Sequence, residues 1–310
     1  MNPTAAIAAH PINSTNVRSW ADRAAPGPLR AFFRTAGPGF PKLAGAVASR
    51  LFVTPPRPKV SPRVAGILTR GERFTVRWRR GSLRAWSWGD GPTVLLIHGW
   101  GGYGAQFASF IPALEAAGYH AVAIDGPAHG ASDGRRTNLL EFAEAIQCVA
   151  AEIGPLAGVV AHSFGGASTA LAMSRGLAPG RRVVFIAPAS DPVVATQRFA
   201  AALALPDSAL RAMRSRLERR IGVRFEELRI PRLVADFDVP LRVVHDREDR
   251  EIPWEEGSAI AAAWPAAELV TTRGLGHYRI LHDPEVIRGA VEFLGGLLAL
   301  RDELPLACRR

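Results

Sequence analysis

Cysteine is nearly absent from this chain of 310 residues, and the two that occur, Cys148 and Cys308, exclude a disulfide framework. So few thiols favour a reducing, cytoplasmic setting. Metal-ligand spacings of the HExxH or CxxC kind are missing, as is a glycine loop of the GxxxxGK kind, so the sequence calls for no metal and no cofactor. The opening stretch MNPTAAIAAHPINSTNVRSW has no charged region followed by an apolar one and does not read as a secretory signal. Residues 153–174 lack Asp, Glu, Lys and Arg over a length that could span a bilayer. Gly154, Pro155, Gly158, His162, Gly165 and Gly166 interrupt that run, and a buried strand followed by a helix explains it better.

Acidic residues are scarce at one end. Residues 1–84 hold 2 of them against 15 Lys and Arg, a net of +13, whereas the rest of the chain nets −3. The basicity therefore belongs to an N-terminal arm. No zinc, helix-turn-helix or aromatic RNA-binding pattern accompanies it, so nucleic acid is not an expected partner. The arm reads as an extended, proline-containing segment with its arginines in water, and weak contact with an anionic membrane surface is the alternative. One helix is predicted in it from Pro41, with Leu43, Val47 and Leu51 along one face. It stops before TPPRPKVSP (54–62), where four prolines forbid regular hydrogen bonding.

What is present is the composition of one soluble globular unit, 48% hydrophobic and 21% charged. From residue 72 short strand candidates alternate with helices. RFTVRW (73–78) and LRAWSW (83–88) alternate like an antiparallel pair. TVLLIH (93–98), HAVAID (120–125), GVVAH (158–162), RVVFIA (182–187) and LRVVH (241–245) are the near-continuous apolar runs of strands buried on both faces, and AELVTT (267–272) closes the series. Helical stretches such as QFASFIPALEAAG and NLLEFAEAIQCVAAEIG fill the intervals, which predicts an α/β, mostly parallel, doubly wound sheet. The interval 191–238 is too long for a simple crossover. It contains DSALRAMRSRLERRI (207–221), with Leu210, Met213, Leu217 and Ile221 on one face and Asp207 as its predicted cap, and it reads as a helical lid. The domain plan is thus an arm over 1–70, a main domain over 71–300 with its lid at 191–238, and a tail over 301–310.

In open α/β sheets ligands bind beyond the carboxyl ends of the strands. Those positions are occupied here by His98-Gly99-Trp100, Asp125, Ser163, Asp249 and His277. Ser163 sits in GVVAHSFGGAS (158–168), an apolar strand that turns sharply into a helix with the small residues Ala161 and Gly165 two positions to either side. A serine hydroxyl is a poor nucleophile until an imidazole removes its proton, and a carboxylate holds that imidazole in place.

Residues 70–298 resemble the α/β-hydrolase superfamily. The order Ser163, Asp249, His277 matches the family's nucleophile, acid and base. The resemblance implies an α/β-hydrolase fold with a helical lid, an oxyanion hole made by the backbone N–H groups of Trp100 and Phe164, and a small-molecule acyl substrate. It implies a serine hydrolase of the esterase type. Acyltransferase or thioesterase chemistry on the same residues, or a non-catalytic binding protein on the same fold, are the alternatives. Asp246 rivals Asp249, because in HDREDREIP it stands where the family has glycine, and His282 rivals His277. In DGPAHGASDG (125–134) Asp125 and His129 are expected to organise the loop, His98 to steady the oxyanion loop, and His162 to pack behind the elbow.

Overall fold

A computed structural model of the chain describes residues 27–58, 62–79 and 81–295. Residues 1–26 of the arm, Cys308 and the tail predicted at 301–310 lie outside these. The apolar runs become eight strands: β1 (Glu72–Trp78), β2 (Gly81–Trp88), β3 (Thr93–Ile97), β4 (His120–Asp125), β5 (Leu156–His162), β6 (Arg182–Ile186), β7 (Leu241–Asp246) and β8 (Ala267–Thr272). They form one sheet in the order β1-β2-β4-β3-β5-β6-β7-β8. β2 is antiparallel to both β1 and β4, and every other pairing is parallel.

The helices are α1 (Gly27–Ala36), α2 (Pro41–Phe52), α3 (Pro62–Leu68), α4 (Ile111–Ala116), α5 (Leu139–Ile153), α6 (Phe164–Met173), α7 (Pro192–Leu203), α8 (Asp207–Ile221), α9 (Ile230–Leu233), α10 (Trp254–Ala263), α11 (Gly276–Arg279) and α12 (Pro284–Gly295). Alternation along each central strand supplies two apolar layers. Leu95 and Ile97 of β3 join a core with Phe142 and Ile146 of α5, Ala170 of α6 and Ile260 of α10. Val94 and Leu96 face the opposite layer, packed with Leu114 of α4 and Ile287 and Leu294 of α12. Both faces of the sheet are covered, which is why the parallel strands read as unbroken apolar runs.

Between β6 and β7 the chain leaves the sheet to form α7, α8, a 3₁₀ turn at Phe225–Leu228 and α9. Asp191 caps α7 by accepting from the Val193 N–H at 2.8 Å. Asp207 does not cap α8. Pro206 holds the cap position and Asp207 is the first helical residue, where its charge complements the helix N-terminus.

The arm differs from the extended segment predicted. It carries three helices among its described residues, and α2 packs on α8 of the lid. The residues that α2 buries are Ala44, Gly45, Ala48 and Ser49; of the predicted face, Val47 and Leu51 pack half-buried against the core, while Leu43 is 58% exposed. The reason is close approach. A Cβ on Gly45 would lie 2.7 Å from Ala212 Cβ and 2.8 Å from Met213 N, so the two helices meet at a distance only small side chains allow. Pro28 and Pro41 stand in the first turns of α1 and α2, where a missing N–H breaks no helical bond.

Candidate active site

The elbow at Ser163 follows from crowding. Ser163 ends β5 and starts α6 with φ 54° and ψ −121°, a backbone region that costs a non-glycine residue about 1–3 kcal/mol. Its N–H donates to Ile186 O at 2.9 Å, and its carbonyl accepts from Gly166 N and Ala189 N, so neighbours on both sides hold the strained turn. α6 then runs against the end of β3. A Cβ on Gly165 would lie 2.5 Å from His98 O and 2.6 Å from Ile97 O, which leaves glycine as the residue that fits. Ala161 is fully buried, and its single methyl is accommodated.

Three side chains from three separate loops meet at this turn. His277 Nε2 lies 3.0 Å from Ser163 Oγ, and His277 Nδ1 lies 2.7 Å from Asp249 Oδ2. All three residues are buried. The other oxygen of Asp249 accepts from the N–H groups of Glu251 at 2.7 Å and Ile252 at 2.9 Å. Burial pushes the Asp249 carboxyl up, but hydrogen bonds from His245 and His277, reinforced by the Ile252 N–H, outweigh it and hold the group well below the usual carboxylate range. Asp249 is thus an anion facing the Nδ1–H of His277.

The two rivals are engaged elsewhere. Asp246 Oδ2 accepts from Thr272 Oγ1 at 2.7 Å and Leu275 N at 3.0 Å, and its Oδ1 accepts from Glu248 N. It braces the loop that delivers His277 without touching the imidazole. His282 pairs through Nδ1 with Ser109 Oγ at 2.9 Å, one residue before Asp283 caps α12.

The loop after β3 lies against the elbow because Gly99 carries no side chain; a Cβ there would stand 2.9 Å from Ser163 Cβ. Phe164 opens α6, where its N–H has no carbonyl within the helix to bond. The Trp100 and Phe164 rings pack edge to face at 5.2 Å, so the loop after β3 and the start of α6 touch beside Ser163. His98 donates from Nδ1 to Gly99 O at 2.7 Å and accepts at Nε2 from Gly126 N at 2.9 Å, a pairing that requires the neutral ring. Burial lowers its pKa to about 4, against the opposing hydrogen bond to Gly99. Asp125 accepts from Gly104 N and Ala131 N, both at 2.7 Å, and ties the loop after β3 to the loop after β4.

The arm reaches this assembly too. Arg57 donates to the carbonyls of Ala128 (3.0 Å), Ser132 (2.7 Å) and Gly134 (2.9 Å), and Pro56 packs so closely on Gly101 that a Cβ there would lie 2.7 Å from its ring. Phe52 of α2 meets Phe199 of α7 edge to face at 5.1 Å. Ser163 and His277 open into a cavity of about 1250 Å³, larger than the usual 300–1,000 Å³ ligand pocket, and its wall draws on arm, lid and sheet alike. Phe52, Val53, Phe199, Leu217, Ile221 and Phe225 make much of that wall apolar.

Sequence reasoning missed Gln106 and His245, and it placed His162 behind the elbow without its partners. His162 donates from Nε2 to the His277 carbonyl at 2.9 Å, and its Nδ1 lies 3.1 Å from Gln106 Nε2, so Gln106 and His162 together hold the base's backbone. Burial first, then the nearby His277, drives the His162 pKa well below the usual histidine value. His245 Nε2 donates to Ile252 O at 3.0 Å and lies 3.4 Å from Asp249 Oδ2, beneath the acid loop. A histidine preceding the elbow and another ending β7 were the signals available; their partners lie far along the chain.

Fold and site together define a class, the α/β hydrolases. The chain belongs to the alpha/beta hydrolase family, whose model matches residues 94–290. Similar solved structures include a bacterial membrane phospholipase A (19% identity, 76% of this chain and 91% of that one, TM-score 0.59). A bromoperoxidase from Bacillus anthracis is similar at 18% identity over 72% and 99% of the two chains, with TM-score 0.57. A serine hydrolase from Cycloclasticus zankles is similar at 16% identity over 73% and 99%, also with TM-score 0.57. Likeness at such identities establishes the fold and leaves the reaction to the site. No curated protein matches the chain.

Proposed function

We propose that the protein is a serine hydrolase that cleaves an ester or related acyl bond through an acyl-enzyme on Ser163. One observation carries this reading: the continuous hydrogen-bonded line from Asp249 through His277 to Ser163 Oγ, ending at a largely apolar cavity. His277 Nε2 takes the proton of Ser163 Oγ as that oxygen attacks the acyl carbon, and Asp249 stabilises the resulting imidazolium. The oxyanion of the tetrahedral species accepts from the N–H groups of Trp100 and Phe164, each such donor contributing about 3–4 kcal/mol to the transition state. His277 then hands its proton to the leaving oxygen, the alcohol departs, and water repeats the sequence on the acyl-enzyme.

The test is labelling with a fluorophosphonate probe alongside turnover of p-nitrophenyl acyl esters. Wild-type protein takes the label and hydrolyses at least one ester. The Ser163→Ala protein does neither, with kcat lower by on the order of 10⁴ or more. Wild-type protein that takes no label and turns over no ester would end this reading.

A further inference from the structure

Of the four large apolar side chains exposed among the described residues, three fall between residues 32 and 43: Phe32 at 36%, Phe40 at 66% and Leu43 at 58%. Scattered exposed apolar groups are ordinary on a protein surface, whereas such a concentration marks a contact. The charge around them has one sign. Residues 27–58 contain Arg30, Arg34, Lys42, Arg50 and Arg57 and no Asp or Glu. Arg34, Lys42 and Arg50 are exposed, and the first ion pair along the chain among the described residues is that of Arg70 with Glu115.

Helix geometry gathers the members of this set on α2 on one outer side. α2 turns Ala44, Gly45, Ala48 and Ser49 against α8, so Leu43 stands on the opposite face, and Arg50, seven residues on, returns to Leu43's side. Lys42 flanks them, and Phe40 stands at the cap of the same helix.

We propose that this outer face of α2 is a docking surface for an anionic lipid bilayer, with Phe40 and Leu43 entering the interface and Lys42 and Arg50 meeting the headgroups. Aromatic and leucine side chains favour that depth, and the long basic side chains reach headgroup phosphates from it. The charge selects this occupant. A second copy of the chain, docked about a twofold axis, would bring the same basic patch against itself with no acidic partner, whereas an anionic leaflet attracts each cation. The C-terminal end of the same helix carries Phe52, which lines the cavity. Docking therefore holds an apolar chamber within about one 12-residue helix length, ~18 Å, of a lipid surface.

Flotation of the full-length protein with vesicles tests this directly. The protein is expected to float with phosphatidylglycerol vesicles and to partition far less onto phosphatidylcholine, with added salt weakening the interaction. Phe40→Asp combined with Leu43→Asp, and separately Lys42→Glu combined with Arg50→Glu, each lower the partition coefficient by about tenfold or more, with thermal melting and fluorophosphonate labelling as in the wild type. Wild-type protein that stays off phosphatidylglycerol vesicles overturns the proposal. So does undiminished flotation of both double variants. A wild-type dimer in sedimentation that the Leu43 change makes monomeric assigns the face to a second copy and overturns it likewise.

Discussion

Ser163 pays conformational strain for its position, with φ at 54° where glycine would sit freely. Ser163→Gly is therefore expected to be more stable than Ser163→Ala by about 1–2 kcal/mol, as measured by urea unfolding, with both proteins inactive. Gly165 is constrained from the other side. Adding one methyl drives it onto the His98 and Ile97 carbonyls, so Gly165→Ala should lose about 1–3 kcal/mol of stability and disturb the oxyanion loop together. The two aspartates separate most clearly. Asp249→Asn removes the acceptor that holds the His277 tautomer, and kcat on p-nitrophenyl acetate should fall by on the order of 10⁴. Asp246→Asn loosens the loop bearing His277 without touching the imidazole, so its loss of kcat should be smaller by about two orders of magnitude or more. Comparable losses in both proteins would refute this division of labour.

At the scale of elements, the arm, the lid and the loop after β4 form one assembly over Ser163. Arg57 joins the arm to three carbonyls of that loop, and the same loop, through Gly126 N, orients His98 beneath Gly99. Arg57→Ala should lower stability by about 1–3 kcal/mol and reduce kcat more than it raises KM, because the damage reaches the oxyanion loop. Arg57→Lys should recover little of this, since one ammonium cannot span three carbonyls set by a planar guanidinium. Unchanged kcat in Arg57→Ala would separate the arm from the chemistry. The α2–α8 crossing is equally specific: of the face that the spacing predicts, Val47 and Leu51 pack half-buried and Leu43 stays out, while the closest approach is at Gly45, where the two helix backbones meet at a distance only small side chains allow.

For the whole molecule, buried histidines set the response to acid. His98 titrates at about 4 when folded and near 6.5 when unfolded, so the unfolded chain binds the extra proton between those values. Its contribution is fully present above pH 6.5 and is lost as pH falls toward 4, about 3 kcal/mol in all. His129 and His162, depressed chiefly by burial, act in the same direction, while Asp125 and Glu256, raised by burial, oppose it. A falling melting temperature from pH 7 to pH 5, flattened in His98→Asn, is the expected result. The chamber supplies a second whole-molecule prediction. Its apolar wall should favour dodecanoate over acetate esters, each accommodated methylene multiplying kcat/KM by up to about fourfold. Phe52→Trp should lower the dodecanoate-to-acetate ratio by narrowing the arm side of the chamber, and an unchanged ratio would show that the arm does not shape acyl selection.

Strand identity needs only local information: the central parallel strands, buried on both faces, are near-continuously apolar, and the half-exposed β1 alternates, so these runs can be seen in the sequence. The elbow is visible as well: the pattern of small residues around Ser163 records the crowding that α6 and β3 impose. Position in the chain does not say which of two carboxylates three residues apart reaches His277, and the turn after β7 decides it by directing Asp246 to Thr272 and Asp249 to the imidazole. The arm's place over the chamber was hidden for a different reason. It rests on glycine and alanine contacts with a helix more than 150 residues away, and small residues leave no hydrophobic periodicity to read. His162 and Gln106 likewise acquire their role through a carbonyl 115 positions from His162, a relation that exists only once the sheet has brought the ends of its strands together.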